Sequence, residues 1–541
     1  MTKYKNDHLY YLPLGGIGIF GANCYLYRYQ NKWIMIDCGL TFNKDLIKYP
    51  GIDIMFPDVS FISEMKQDLL GIICTHGHED HIGALTSLWK DLKCPIYGSE
   101  FTIKILERKL KYDFKKKKHN LPLNIVEPYG TLHLGGFELD FMPVVHSVPG
   151  GFSVKITAGD KKVIHAGDWR LDDDPILEVS DEKQWKKSGN EGVDAFLCDS
   201  SNFGSFSSGQ EKELVKSFAK IFSQTKGCAY VAMFSSNIAR VKVLIKAAKK
   251  AGRYVGVAGT SLEQNAQIAE SCGLLDYDFL SKDEMATIPK DEMVVALTGA
   301  LGQPNSALVK LAEDRLGYLD LEEDDLVVLS SRAIPGNEDE IKAVTKKVEA
   351  YGVEVMTADN AFVHVSGHSS PENIEQMYKW LKPETLIAMH GEDEQLSANI
   401  EVAKNVGIKN CLIVENGEIY DFSDKKVVGK VETGLVCRNH GKVVPVNSKA
   451  LSEKKRIIFN GACIASLVFD TDNISLLRTP QITLIGLDDD KEKSQKDIAV
   501  YLEKEISRED SITEPMIRAI FKKKLKELFK TEKPVIEIHI L

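Results

Sequence analysis

One stretch constrains this chain more than any other. Residues 74–83 read CTHGHEDHIG, so an apolar run, GIIC, breaks into His76, His78, Asp80 and His81 within six positions. A loop so tight gathers three imidazoles and a carboxylate around a point instead of spreading them along one strand face. Mixed nitrogen and oxygen donors suit zinc or manganese better than magnesium or calcium, which favour oxygen shells. A histidine-rich surface loop reads the same locally, but it predicts no further donors elsewhere. Further donors do occur, each after an apolar run: His146 closes FMPVVH, Asp168 closes KVIHAGD and His390 closes LIAMH. The chain must therefore fold so that several strand ends meet at one polar cluster.

Its 541 residues predict three to four domains at roughly 150 residues each. Hydrophobic residues at 43% and charged residues at 27% exclude a collagen, a coiled coil or a disordered chain. No run of about 18 uncharged apolar residues occurs, and MTKYKNDHLYYLPLGG has none of the regions of a signal peptide, so the expected location is the cytoplasm. The ten cysteines are scattered without a C-x-x-C pair, which suggests neither disulfides nor a thiolate metal site. A net charge of -10 supplies no global field for a polyanion, so a nucleic-acid substrate requires local basic patches.

The pattern changes along the chain. Short apolar strands ending on polar clusters fill residues 1–205. Residues 206–360 alternate strand and helix, from CAYVAMF and the helical stretch Asn237 to Ala251 through YVGVAG, MVVALTG and LVVLSS to VEVMT, which calls for a parallel sheet covered on both faces. The first pattern resumes over 361–446, so the middle region reads as an insertion. Residues 447–456 are the best linker candidate. Residues 457–541 read as a small α/β domain with a basic amphipathic helix from about Pro515 to Phe529.

H-x-H-x-D-H, a lone histidine, an aspartate in HAGD and a late histidine together resemble the metallo-β-lactamase fold of binuclear hydrolases. The resemblance implies two divalent ions, zinc first, with manganese or magnesium as alternatives. One is held by His76, His78 and His146, the second by Asp80, His81 and His390, with Asp168 bridging both and Asp80 also serving catalysis. Asp37, in IDCG, matches the family's first motif and is expected behind the metals, orienting a ligand imidazole. The segments 207–211, FSSNIAR, TGALGQPNSAL, IPGNE, HVSGH and MHGE, with LGGIGIFGAN near the start, look like the β-CASP nucleases and specifically the bacterial ribonuclease J family. This resemblance covers nearly the whole chain. It implies an α/β protein: an αββα metallo-β-lactamase sandwich interrupted by a parallel α/β β-CASP domain, with a small C-terminal α/β domain. Two positions depart from the family: Ile19 stands where G-G-x-G-E-x-G has Glu, and Gly209 and Gln210 precede Glu211 where T-x-S-E is usual.

The expected reaction is hydrolysis of single-stranded RNA, 5'-to-3' and also internally, without a covalent intermediate. His368 is the expected general acid, positioned by Glu211. Ser236, Asn237, His364 and Ser366 are the candidates for a 5'-monophosphate pocket. Ser236 and Asn237 equally read as a helix N-cap, and His364 equally as a core histidine. The basic run from Arg108 to His119 reads as a path for the RNA backbone or as a solvated helix face. The family implies a homodimer or higher oligomer and no membrane contact. A β-CASP nuclease acting on DNA is the competing reading, and His390 favours RNA because DNA-acting members commonly lack that histidine.

Overall fold

The apolar runs on either side of the middle region become strands of two facing sheets. A computed structural model gives the structure for residues 4–541 except 44, 46, 114–120, 178–180, 204–208, 333–336, 471–474, 488–489, 510–511 and 531–532. One sheet runs in the order 426–430, 418–421, 10–15, 24–29, 32–36, 69–73, 96–98 and 123–125. The other runs 410–413, 385–389, 195–199, 161–165, 152–158, 137–143 and 131–134. Tyr10–Gly15 and Cys24–Tyr29 are buried at every position, which is why they read as continuous aromatic and apolar runs without alternation. Tyr11, Tyr27, Ile34 and Ile73 of the first sheet share one core with Leu139, Val154, Ile164 and Phe196 of the second. Helix Pro371–Leu381, started by the Ser370 cap and Pro371, buries Ile374, Met377 and Leu381 in that core, and Asp393–Asn405 packs beside it. Glu100–Asp113 packs on the opposite sheet. The result is the expected four-layer αββα sandwich.

Between Ala195–Asp199 and Pro371–Leu381 the chain builds a separate sheet, entirely parallel, in the order 254–258, 293–298, 229–233, 326–329 and 354–357. The first strand in sequence lies in the middle. Connections leave it to one side and later strands fill the other, so the loops after 229–233 and 326–329 diverge and leave a crevice at their carboxyl ends. Tyr230, Val295, Leu297 and Val327 pack with Leu308, Leu311, Val344 and Val348 of the covering helices. The helix expected over Asn237 to Ala251 runs Ile238–Ala251, and the other covering helices open at Thr260, Ala307 and Glu338.

The chain forms two compact units, Met1–Phe42 with Met55–Leu435 and Asn43–Ile54 with Val436–Leu541. The second contains a sheet in the order Gln481–Ile485, Ala462–Leu467, Val535–Ile540 and the helices Lys491–Ile506 and Glu514–Phe529. Ile517, Phe521 and Leu525 are the buried stripe of the last helix. The stretch 447–456, expected as a linker, is helical from Lys449 as part of Lys449–Asn460. Lysine, glutamate and arginine are good helix formers, so polarity alone does not mark a loop.

Candidate metal centre

Parallel pairing of Lys32–Ile36 with Leu69–Ile73, and of Lys161–His165, Ala195–Asp199 and Thr385–Met389 with one another, aligns the carboxyl ends of these strands. Asp37, the 76–81 loop, Asp168, Asp199 and His390 follow those ends directly. Asp37 and His390 both sit in the left-handed region, at φ 60 and 52, a local cost that the surrounding contacts sustain. Gly39 permits the closest approach: a Cβ there would lie 1.6 Å from Asp80 O, so only glycine lets this loop press against Asp80 and His81.

Among the described residues three overlapping groups of donors gather here, each with ligand atoms within 4.8 Å of one another: His76, His78, His146 and Asp168; Asp80, His81, Asp168 and His390; and the smaller set Asp168, Asp199 and His368. The first two match the expected ligands. In the first, His78 Nδ1 lies 3.0 Å from His76 Nε2 and 3.1 Å from His146 Nε2. Asp168 Oδ2 lies 3.5 Å from His76 Nε2 and 3.7 Å from His146 Nε2. In the second, Asp168 Oδ1 lies 2.8 Å from His390 Nδ1 and 3.3 Å from His81 Nε2. Asp80 Oδ2 completes it, 3.4 Å from His81 Nε2 and 3.3 Å from His390 Nε2. The two oxygens of Asp168 thus divide between the groups. Tetrahedral ligands about 2.1 Å from an ion stand roughly 3.4 Å apart, so both donor sets fit a divalent metal in spacing as well as chemistry.

Burial drives the imidazoles of His76 and His146 well below their usual range and takes His78 down to about 4, which leaves these three neutral, as ligation requires. Around His81 and His390 burial works the same way, but the neighbouring carboxylates outweigh it and raise both rings, His390 to about 10, so that ligation there would release a proton. The second group is therefore the carboxylate-rich one.

Surrounding bonds orient the donors. Asp37 Oδ2 is 2.7 Å from His81 Nδ1, and Asp37 also accepts from Thr75 N and Thr75 Oγ1 at 2.8 Å each, the expected place behind a ligand imidazole. His146 Nδ1 donates to Gly367 O at 2.6 Å. Asn23 Nδ2 is 3.1 Å from His81 Nε2 and 3.5 Å from Asp80 Oδ2, with Asn23 Oδ1 accepting from Tyr25. Ile19 bridges to Gly391, next to His390.

His368 lies beside both groups. Its Nδ1 is 2.8 Å from Asp199 Oδ2, 2.7 Å from Ser201 Oγ and 3.8 Å from Asp168 Oδ2. Burial opposes its charge, but Asp199 and Asp168 prevail and raise its pKa. The partner expected for it, Glu211, is elsewhere: its carboxylate lies 3.7 Å from Arg170 and 3.9 Å from Arg240. Glu211 opens helix Glu211–Gln224, whose N-cap is Gln210, whereas Asp199 closes a buried strand that pairs with the strand of His390. The sequence carried this signal, since AFLCDSS is one more apolar run ending on a carboxylate.

Of the candidate phosphate residues, Asn237 caps helix Ile238–Ala251 by accepting from Arg240 N at 2.8 Å, and Ser366 Oγ accepts from His368 N at 3.1 Å. Ser236 precedes that cap at the crevice of the inserted sheet. His364 Nδ1 donates to Ser330 O at 3.3 Å; burial, with Arg240 and Arg332 nearby, takes its pKa down to about 3. A cavity of about 960 Å³ opens at His368 and Ser366, bounded also by Arg170, Gly209 and Trp380. The start of the basic run is engaged internally: Arg108 donates to Asn265 Oδ1 at 2.5 Å, and Lys109 pairs with Glu79. Residues 114–119 of that run, 207 and 208 of the segment 207–211, and the first three residues of IPGNE lie outside the described residues.

Residues 17–195 match the metallo-beta-lactamase superfamily, 226–348 the ribonuclease J beta-CASP domain, and 336–413 the Zn-dependent metallo-hydrolase RNA specificity domain. Ribonuclease J of Sinorhizobium meliloti is 35% identical over 505 residues, which cover 91% of this chain and 89% of that protein. Ribonuclease J of Mycolicibacterium smegmatis is 33% identical over 76% of this chain and 74% of its own. Ribonuclease J2 of Bacillus subtilis is 28% identical over 90% and 88%. A solved structure from Enterococcus faecalis, titled a protein of unknown function, superposes with a TM-score of 0.55 at 13% identity, covering 76% of this chain and all of that one.

Proposed function

The chain belongs to the ribonuclease J family, a family of metal-dependent ribonucleases with an inserted β-CASP domain, and from that premise we propose a two-metal hydrolase that removes nucleotides from the 5' end of single-stranded RNA and also cuts internally. The observation that carries this reading is Asp168, whose two oxygens face two separate donor groups with His368 alongside. His76, His78 and His146 would hold one ion, and Asp80, His81 and His390 the other, with Asp168 able to serve both. When bound, the ions supply Lewis-acid stabilisation of the phosphodiester charge and a water made nucleophilic near neutral pH; zinc suits the donors best.

The residues of the chain supply the rest. Asp37 and Gly367 O fix the rings of His81 and His146. Asp199 holds His368 Nδ1, so Nε2 is the atom that hands a proton to the leaving 3' oxygen as its bond to phosphorus breaks. Water is consumed, and the products are a 3'-hydroxyl and a 5'-phosphate. Ser236, Asn237, His364 and Ser366 receive the 5'-monophosphate near the carboxyl ends of the inserted strands, where Arg332 adds positive charge around His364. The protein works in the cytoplasm as a homodimer or higher oligomer; among the described residues no helix is long and apolar enough to cross a membrane.

End-labelled single-stranded RNA carrying a 5'-monophosphate, 5'-triphosphate or 5'-hydroxyl tests this reading. Labelled mononucleotide should appear fastest from the monophosphate and disappear with chelator. Equal rates from all three ends would remove the phosphate pocket from the proposal, and chelator-independent cleavage would remove the metals.

A further inference from the structure

The turn that carries His368 is held from two sides. Toward the metal centre, Gly367 O accepts from His146, Ser369 Oγ donates to Trp169 O at 2.7 Å, and Asn202 Nδ2 donates to His368 O and Ser369 O at 3.2 and 3.1 Å. Toward the inserted sheet it is held by Arg240 together with Ser330, whose carbonyl accepts from His364 Nδ1 at 3.3 Å. Arg240 donates to Val363 O from Nη1 at 3.2 Å and to Val365 O from Nη2 at 3.3 Å. The same guanidinium reaches Ser330 Oγ, which itself donates to Val363 O at 2.6 Å. Arg240 is 0% exposed and stands in the first turn of Ile238–Ala251, at the crevice between the diverging loops.

A guanidinium buried this completely is costly unless its charge and its donors are met. Glu211, 4% exposed, supplies the charge between Arg240 and Arg170. Arg170 in turn donates its backbone N to Val145 O at 2.9 Å, beside His146 and two residues after Asp168. The cluster therefore runs from the metal-donor loops to the turn 363–369 through Arg170, Asp172, Glu211 and Arg240, with Asp172 Oδ2 2.5 Å from Arg170 Nη2. The planar fork meets these acceptors from two nitrogens held at a fixed spacing, which the single nitrogen of a lysine does not reproduce.

We propose that Arg240 is a positioning residue for the hydrolysis, with Glu211 as its counter-ion. Its fork fixes the turn 363–369 so that His368 stays against Asp199 and presents its other nitrogen to the leaving 3' oxygen. This rests on the ribonuclease reading and assigns Glu211 a role one step removed from His368.

The test uses the full chain with Arg240→Met, Arg240→Lys, Glu211→Gln and, as reference, His368→Ala. Hydrogen–deuterium exchange follows residues 363–369, and single-turnover cleavage compares RNA with an oxygen or a sulfur leaving atom at the 3' position. Arg240→Met should exchange faster in that turn and cleave the oxygen substrate about a hundredfold more slowly, as a displaced acid would. The sulfur substrate, which needs no protonation, should recover most of the loss. Arg240→Lys should recover little, and Glu211→Gln should show the same pattern more weakly. Unchanged exchange with wild-type cleavage, or an equal loss on both substrates, overturns the proposal. If Arg240→Met does not fold, Glu211→Gln decides by the same criteria. If His368→Ala shows no sulfur rescue, the general-acid reading falls, and exchange of 363–369 alone then decides whether Arg240 holds the turn.

Discussion

His146 shows how little slack the centre has. A Cβ on Gly367 would meet its Cε1 at 2.9 Å, while Gly367 O accepts its Nδ1 proton. Gly367→Ala should therefore turn the ring and weaken one metal about tenfold to a hundredfold, the usual effect of disturbing a bond that orients a ligand; competition with a fluorescent chelator measures it. His368→Ala should keep both metals and RNA binding and cleave about a hundredfold to ten-thousandfold more slowly. Loss of metal in that variant would move His368 into a ligand shell. The gathering of His76, His78, Asp80, His81, His146, Asp168 and His390 was legible because each follows an apolar run that forms a strand, and the strand ends meet at one place; His146 alone follows a strand paired antiparallel on both sides. The partner of His368 was not. Asp199 and Glu211 are both acidic residues near a helix or strand end, and only the pairing of Ala195–Asp199 with Thr385–Met389 tells them apart. Asn237 shows the same limit: a cap and a phosphate site share one sequence pattern, and its Oδ1 accepts from Arg240 N under either reading.

Among the elements, helices were legible where a cap or a glycine marked their ends and strands where apolar runs were short. The stretch 447–456, read as a linker, is polar because its lysines, Glu453 and Arg456 lie on a largely exposed helix, Lys449–Asn460, whose one buried residue is Leu451. The last helix carries a clearer signal, and its Phe521 is fully buried among Cys463, Leu484, Ile498 and Leu502. Phe521→Ala should cost about 3–5 kcal/mol. Guanidinium unfolding followed by hydrogen exchange should place that loss in Val436–Leu541, with metal content unchanged. A variant that loses metal instead would tie this unit to the centre.

Over the whole molecule, the acidic total and the burial of the donors both bear on the substrate. His76, His81, His146, Asp168 and His390 are each 5% exposed or less, so a duplex cannot reach them without widening the protein around it. Blunt duplex RNA should be degraded far more slowly than the same strand unpaired, and equal rates would contradict the proposed path. The insertion was legible as a change from strand-rich to strand–helix alternation; the assignment to RNA rather than DNA came from motifs and relatives, because spacing alone describes a metal centre and not its substrate. The most direct measurement of the central claim is a titration of zinc into chelator-treated protein, with mononucleotide release from 5'-monophosphorylated RNA followed at each ratio. Activity should rise to a plateau at two ions per chain; full activity at none or at one would contradict a two-metal centre built on Asp168.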